Sequence, residues 1–276
     1  MNSENHLTII KAKKGWQPID WYELWAYKDL LYFLILRDIK GRYAQSVLGL
    51  GWAIIPPILN MVVFTIVFGK LAKINSDGVP YSIFSFTAIV PWTYFSTSLS
   101  QSTGSLLSSR GMMTKVYFPR LIIPISPVLS KLFDFIITMS ILLGMLLYFG
   151  FYPSLHILYL PLLVGIMFLT ASGIGIWLTA LAIQYRDIKY ASSFFIQLLM
   201  YCAPVVYPVS SVPDHFRAFY GLFPMVGVIE GFRSIFLATN PMPWDLIFTG
   251  LIIALILFIS GSFYFRRMEK YFADVA

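Results

Sequence analysis

Long stretches without any charged residue place the strongest limit on what this chain can fold into. Residues 49–69 form one such run of 21 residues, and a second extends over 78–109. An α-helix rises about 1.5 Å per residue, so about 20 residues cross the hydrocarbon core of a bilayer, which is about 30 Å thick. These stretches therefore predict membrane-spanning helices rather than the core of a soluble domain.

Composition supports the same interpretation. Only 12% of the 276 residues are charged and 58% are hydrophobic, whereas a soluble domain carries about 25% charged residues. The lone Cys202 excludes an internal disulfide framework. We predict an all-α membrane protein with six transmembrane helices, at about 49–70, from 81 onward, 129–150, 157–183, 190–208 and 244–265.

The distribution of basic residues predicts the orientation. Sixteen of the 20 Lys and Arg residues fall on one side of these six spans, and that side is predicted to be cytoplasmic. Both termini then lie in the cytoplasm. Residues 1–20 are predicted to be a cytoplasmic tail, 21–48 an amphipathic interface helix with a hinge, and 49–276 the membrane domain. An ordinary membrane-proximal helix without a ligand is the alternative for the 21–42 segment.

Hydroxyl side chains recur at helical spacing in the second span. Placing hydroxyl groups against hydrocarbon costs free energy, so we predict that these side chains face other helices or a hydrated path. Close packing by small residues is the alternative, while Gln101 and the width of the polar surface favour a path. The first row consists of Thr93, Ser96, Thr97, Ser100 and Thr103. The second row, beside it, consists of Tyr94, Ser98, Gln101 and Ser105.

Two pairs of opposite charges stand one helical turn apart. Lys131 and Asp134 predict a local ion pair or a functional intramembrane pair, and Glu230 and Arg233 form a similar pattern. The second pair lies in an apolar segment that Pro and Gly interrupt, so we predict two short re-entrant helices within about 213–238.

Several kinds of chemistry are missing from the sequence. No G-x-x-x-x-G-K-[ST] phosphate loop occurs, and the three histidines show no metal-ligand spacing. We therefore predict no catalytic residue, no metal site and no cofactor in this chain. A transporter subunit driven by a partner ATPase explains these features better than a membrane enzyme.

Four motifs, in this order, resemble the permease subunits of polysaccharide ABC exporters, the family that exports O-antigen, capsule and teichoic acid. They are R-D-I-K-G-R-Y-A-Q-S-V-L-G-L-G-W-A-I-I-P-P at 37–57, V-P-W-T-Y-F at 90–95, K-V-Y-F-P-R at 115–120 and Q-Y-R-D-I at 184–188. In addition, the tetrapeptide R-D-I-K occurs twice, at 37–40 and 186–189, for which chance is a fair explanation.

The resemblance implies a homodimer with two separate ATP-binding cassette subunits, which bind ATP and Mg. It implies export of an undecaprenyl-pyrophosphate-linked polysaccharide from the cytoplasmic to the periplasmic side of a bacterial inner membrane. Membrane lipids are the other expected contacts, and no nucleic acid is expected. The alternatives are a lipid or drug exporter of the same fold and a membrane-bound glycan-modifying enzyme.

With this resemblance, specific residues receive expected roles. An entrance for the lipid pyrophosphate is expected at Arg37, Lys40 and Arg42, which would otherwise only anchor the helix on anionic lipid. The translocation path is expected along Trp92, Thr93, Tyr94, Phe95, Ser96, Ser100, Gln101 and Thr103. Contacts with the ATPase are expected in loops 106–120 and 184–190, through Arg110, Lys115, Arg186 and Asp187. The external gate is expected to include Glu230 and Arg233.

Overall fold

The computed structural model describes residues 21–275 except positions 45, 114, 116 and 186, and the regular elements in this part of the chain are helices. The predicted tail 1–20 and Arg186 lie outside the described residues. The α-helices are α1 (Trp21–Ala26), α2 (Lys28–Tyr43), α3 (Gly51–Phe64), α4 (Tyr81–Ser108), α5 (Arg110–Met113), α6 (Ile122–Phe149), α7 (Leu160–Gln184), α8 (Ile188–Cys202), α9 (Asp214–Tyr220), α10 (Pro224–Phe236) and α11 (Trp244–Val275). A π-helical segment, Thr65–Leu71, continues α3, and 3-10 helices cover Leu155–Tyr159 and Val209–Ser211.

Four segments are long and apolar enough to cross a membrane, so the chain is a multi-pass membrane protein. They are Gly51–Leu71, Ile122–Phe149, Leu155–Gln184 and Trp244–Glu269, which correspond to four of the six predicted spans. The other two predicted spans differ. Helix α4 is 28 residues long but rich in hydroxyl groups, and α8 has only 15 residues, which rise about 22 Å.

Helix α6 begins earlier than the sequence pattern indicates. The prolines at 119, 124 and 127 predict that the helix is delayed until about 129, but it begins at Ile122 and contains Pro127. Pro124 lies in the first turn, where a missing backbone N–H costs nothing. The Ser126 hydroxyl donates to the Ile123 carbonyl at 3.2 Å, which replaces the hydrogen bond that Pro127 cannot make.

Helices α4, α6, α7, α10 and α11 form the packed centre of the subunit. Helix α7 packs along both α4 and α11, and α10 is buried over its whole length. Two glycines of α7 permit these contacts: a Cβ at Gly173 would lie 2.7 Å from the Phe258 backbone nitrogen, and one at Gly175 would lie 2.5 Å from the Ser102 hydroxyl. Helix α7 can approach α11 and α4 this closely only because glycine has no side chain.

The segment predicted as an interface helix is two helices, α1 and α2, which meet at Tyr27. One side of this segment packs on the protein: Leu24 and Tyr27 contact the cluster around Leu106 and Phe265, and Leu34 is buried. A different set of large side chains is exposed, namely Tyr22, Trp25, Tyr32 and Phe33. Aromatic side chains exposed in this way suit the interface between headgroups and acyl chains.

Polar contacts define the two ends of the bundle. At one end Arg120 donates to the Glu269 carbonyl at 2.8 Å, and Arg266 lies 3.8 Å from Glu23, so the starts of α1 and α6 meet the end of α11. At the other end Asp77 accepts hydrogen bonds from Ser210 and Asn240. The first end contains the basic segments that the sequence predicts to be cytoplasmic, and α9 and α10 lie toward the second.

The contact between α7 and α11 gives a prediction about stability. Gly173→Ala places a methyl group against the α11 backbone, and overpacking of this kind costs about 1–3 kcal/mol. Gly165→Ala in the same helix is the matched control, because a Cβ there would meet nothing within 4 Å. We expect a lower apparent melting temperature for purified Gly173→Ala and an unchanged value for Gly165→Ala. Equal melting temperatures for the two variants would contradict the close approach.

Candidate functional site

A groove of about 630 Å³ opens between α2, α4, α6 and the start of α8, near the end of the bundle that is predicted to be cytoplasmic. Its wall on α4 is made of small and neutral residues, and its rim carries three basic side chains. The basic residues are Arg37, Arg42 and Lys189, with Asp38 as the acidic lining residue. The small or neutral lining residues include Ser100, Gln101, Gly104, Ser105, Ser108, Ser109 and Ser126.

An ionic cluster ties α2 to the wall of this groove. The Arg42 guanidinium donates to Asp134 Oδ2 at 2.6 Å, and the Lys131 ammonium donates to the same oxygen at 2.8 Å. Tyr43 donates to the other carboxylate oxygen, and the second Arg42 nitrogen donates to Gln101 Oε1 at 3.2 Å. One side chain of α2 thereby bridges α4 and α6.

This cluster is largely shielded from solvent and carries excess positive charge. The side chains of Arg42, Lys131 and Asp134 are 18%, 8% and 16% exposed, so their charges interact in a medium far less polar than water. Burial, reinforced by the hydrogen bond to Asp134, raises the pKa of Tyr43 to about 12. Tyr43 therefore remains a hydrogen-bond donor at neutral pH.

A polar stripe on α4 leads from the groove to a second, smaller cavity. This cavity, of about 100 Å³, is lined by Thr93 and Thr97 of α4 and by Trp52, Lys131 and Asp134. The α4 stripe consists of Thr93, Thr97, Ser100, Gln101, Gly104 and Ser108. It extends for about 22 Å along the helix. The Arg42 bridge crosses the stripe between the groove and the cavity.

The residues predicted to line a path separate into two groups in this subunit. Thr93 and Ser96 are partly exposed, and Ser100 and Gln101 are exposed, so this group is accessible from the surface of one chain. The second group lies in the packed interior: Trp92 and Phe95 pack on Phe223, and the Tyr94 hydroxyl donates to the Val128 carbonyl at 3.2 Å. Thr103 is also buried and donates to the Leu99 carbonyl.

The other predicted entrance and coupling residues lie around the same end. Arg37 pairs with Asp38 at 2.8 Å, and Lys40 is exposed on α2. Lys115 and Asp187 are exposed in the loops predicted to contact an ATPase. Arg110 begins the short helix α5, although its side chain is not among the described ones, and Arg186 lies outside the described residues.

The Glu230–Arg233 pair is a buried ion pair, with 2.6 Å between the Arg233 guanidinium and Glu230 Oε1. Arg233 also donates to the carbonyls of Val205 and Tyr207, and its guanidinium lies 3.7 Å from the Phe84 ring centre. The pair thus satisfies backbone groups after α8, where the chain leaves the helix. In a membrane such groups have no water to bind.

Sequence reasoning finds the local ion pairs but misses the long-range ones. Lys131–Asp134 is apparent from spacing, whereas the pairing of Asp134 with Arg42 joins positions 92 residues apart. Likewise, the residues next to Lys189 in the sequence do not show that Lys189 lines the groove. The repeated R-D-I-K tetrapeptide is the available signal, because Arg37, Asp38 and Lys189 from its two copies line the same groove.

Comparison with known proteins shows which family of proteins this chain resembles. Residues 29–237 match the sequence model of the family described as ABC-2 type transporter. The chain is 28% identical to the O-antigen export system permease protein RfbA of Myxococcus xanthus over 252 residues, which cover 90% of this chain and 96% of that protein. It is also 28% identical to RfbA of Klebsiella pneumoniae over 255 residues, 92% of this chain and 97% of that protein.

The name of a more distant relative refers to a different polysaccharide. The chain is 21% identical to the polysialic acid transport protein KpsM of Escherichia coli, over 202 residues that cover 71% of this chain and 77% of that protein. The region matched by the family model includes α4, α6, α8 and nearly all of α2, which together form the groove.

The ionic cluster generates a second prediction. Asp134→Asn leaves Arg42 and Lys131 without a compensating charge, and removing one partner from a buried ion pair costs about 3 kcal/mol. We expect the apparent melting temperature of the purified protein to fall by about 6 °C or more. The matched control is Asp245→Asn, because Asp245 pairs with Arg217 at 3.1 Å with both side chains exposed, and exposed pairs contribute about 0–1 kcal/mol. Equal shifts in the two variants would show that Asp134 does not hold α2 in place.

Proposed function

Because the chain belongs to the ABC-2 type transporter family, we propose that it is the permease subunit of an ATP-driven exporter of lipid-linked polysaccharide. Its cargo is a glycan on undecaprenyl pyrophosphate, which moves from the cytoplasmic to the periplasmic face of the bacterial inner membrane. The observation that carries this proposal is the basic groove continuous with a charge-free polar stripe on α4. The names of the relatives support the same class of cargo.

The charges around the groove suit an anionic lipid headgroup. The ionisable side chains that line it, together with Asp134 and Lys131 of the ionic cluster, sum to two positive charges. Pyrophosphate is a dense anion that guanidinium and ammonium groups bind through charge-assisted hydrogen bonds. Arg37 and Arg42 are positioned for this on the rim, and Lys40 lies exposed on the same helix.

The α4 stripe suits the glycan that follows the headgroup. A glycan presents hydroxyl groups and apolar ring faces, and it must slide without binding tightly. The hydroxyls of Thr97 and Ser108 already donate to backbone carbonyls of α4, so their oxygens offer weak acceptor sites instead of strong ones. None of the α4 residues of the stripe is charged, and the Arg42 charge that crosses it is paired with Asp134. The accessible stripe members Thr93, Ser100 and Gln101, together with the partly exposed Ser96 beside them, are the proposed path residues.

A separate ATP-binding subunit supplies the energy in this proposal. The chain itself has no phosphate-loop motif, so ATP and Mg bind to the partner. The partner contacts the segment 106–120, which contains α5 and the exposed Lys115, and the turn between α7 and α8, where Asp187 is exposed. Arg110 and Arg186 belong to the same two segments.

Two copies of the chain form the pore in this proposal. The α4 stripe is open on one side in a single subunit, and the neighbouring α3 and α8 expose large apolar side chains such as Leu59, Val63, Phe194 and Phe195. A homodimer with two-fold symmetry would present each stripe twice around a central path. The short helices α9 and α10 then lie at the external end as re-entrant gate helices, braced by Glu230 and Arg233, and both termini lie in the cytoplasm.

Blocking the groove tests the proposed function. Ser100→Trp fills an exposed position of the stripe, so we expect surface polysaccharide to fall at least about tenfold while lipid-linked glycan accumulates in the cell. Ser140→Trp is the matched control, since Ser140 is an exposed serine on α6 that lines neither cavity, and it should export normally. The two variants are compared in a strain that lacks the natural copy, with membrane insertion and ATPase co-purification checked in both. Normal export by an assembled Ser100→Trp complex would contradict the proposal.

A further inference from the structure

Lys189 stands out among the basic residues of the groove because its charge is not matched. Arg37 pairs with Asp38, and Arg42 pairs with Asp134. Within the described part of the chain, no carboxylate lies within ion-pair distance of the Lys189 ammonium. An anion that enters the groove therefore meets one basic side chain that need not give up an existing partner.

The surroundings of Lys189 leave room for such an anion. Its side chain is exposed and lines the groove opposite Gly104, where a Cβ added to the glycine would come no closer than 3.8 Å to Lys189 Cε. The Ser100 hydroxyl, which has no hydrogen-bond partner within the described residues, lines the same space. The Gln101 side chain accepts from Arg42 through its oxygen, which leaves its amide nitrogen available to donate.

Lys189 also lies at the start of α8, directly after the turn from α7. Only three residues, 185–187, separate the two helices. Backbone hydrogen bonds flank the turn: the nitrogen of Ile188 donates to the Tyr185 carbonyl at 3.2 Å, and that of Tyr190 donates to the Asp187 carbonyl at 3.0 Å. A ligand that draws Lys189 into the groove therefore acts on a short connection between two helices.

We propose that Lys189 binds the phosphate of the lipid pyrophosphate in the groove and transmits this occupancy to the turn between α7 and α8. The inference rests on the proposed function, in which this turn contacts the ATPase. Loading of the cargo then stimulates ATP hydrolysis through Lys189, so that the complex does not spend ATP on an empty groove. The competing role is that Lys189 only holds α8 against anionic phospholipid headgroups.

The test uses the complete complex of permease and ATPase in nanodiscs of phosphatidylcholine. ATP hydrolysis is measured while undecaprenyl pyrophosphate is titrated. Losing one charge-assisted phosphate contact weakens binding about tenfold. We therefore expect Lys189→Gln to raise the half-maximal concentration about tenfold and Lys189→Arg to stay close to the wild type. The matched control is Lys70→Gln, an exposed lysine that lines neither cavity, and it should not change the response.

A chemical rescue separates lost charge from altered folding. In a Cys202→Ser background, Lys189→Cys is labelled with an aminoethyl thiosulfonate, which restores an ammonium group, or with a neutral methyl thiosulfonate. We expect only the aminoethyl label to restore the response to undecaprenyl pyrophosphate. Equal responses with the two labels would overturn the role of the Lys189 charge.

Two further arms distinguish the source of the phosphate. Inorganic pyrophosphate should compete only weakly, because it lacks the lipid chain that concentrates the headgroup at the groove. A Lys189→Gln defect that appears only when phosphatidylglycerol is present would support the anchoring role and overturn the inference. If the wild type responds to undecaprenyl pyrophosphate and Lys189→Gln responds equally, the inference fails and the proposed function stands. A wild-type complex that hydrolyses ATP but never binds or responds to this lipid would overturn both.

Discussion

The contact between Arg42 and Asp134 determines how the functional end of this molecule is built. It joins the end of α2 to α6, near the fourth turn of that helix, and through Gln101 it also reaches α4. An acidic residue at this depth is costly without partners, and two basic groups and a phenol supply them. Because α2 is held there, its basic face forms the rim of a groove whose wall is the neutral surface of α4. Removing this contact would detach the rim from the wall.

A second buried ion pair performs the corresponding task toward the opposite end. The chain after α8 runs without helical hydrogen bonds through a buried stretch, and Arg233 donates to two of its carbonyls while Glu230 accepts from the Val209 nitrogen. Such a break is tolerated at membrane depth only when other side chains satisfy the backbone. The family resemblance attributes this pair to an external gate, and that role stays a prediction. Its contacts brace the broken stretch after α8, and the pair itself lies in α10, one of the helices predicted to form the gate.

Local features of this protein follow from the sequence, and long-range ones do not. The charge-free runs predict the long apolar helices, and an i, i+3 spacing predicts both ion pairs within helices, because these depend on neighbours along the chain. The rows of hydroxyls on α4 predict a polar face, yet only packing decides that Ser100 is exposed and Thr103 is buried. Nothing in the spacing indicates that Arg42 meets Asp134, or that Lys189 lines the same groove as Arg37. The prolines of α6 mislead the prediction of its start, because a serine hydroxyl compensates for Pro127.

In the proposed export, the cargo occupies the groove and the α4 stripe. Photo-crosslinking tests this occupation in membranes that contain the active complex and the lipid-linked glycan. A photoreactive amino acid is placed at Ser108 in the groove, at Thr93 in the smaller cavity, or at Ile136, which is exposed on α6 and lines neither cavity. We expect crosslinks to the glycan lipid from Ser108 without nucleotide, from Thr93 only during ATP turnover, and none above background from Ile136. Crosslinks of equal yield at all three positions, or none at Ser108 in an exporting complex, would contradict this occupation.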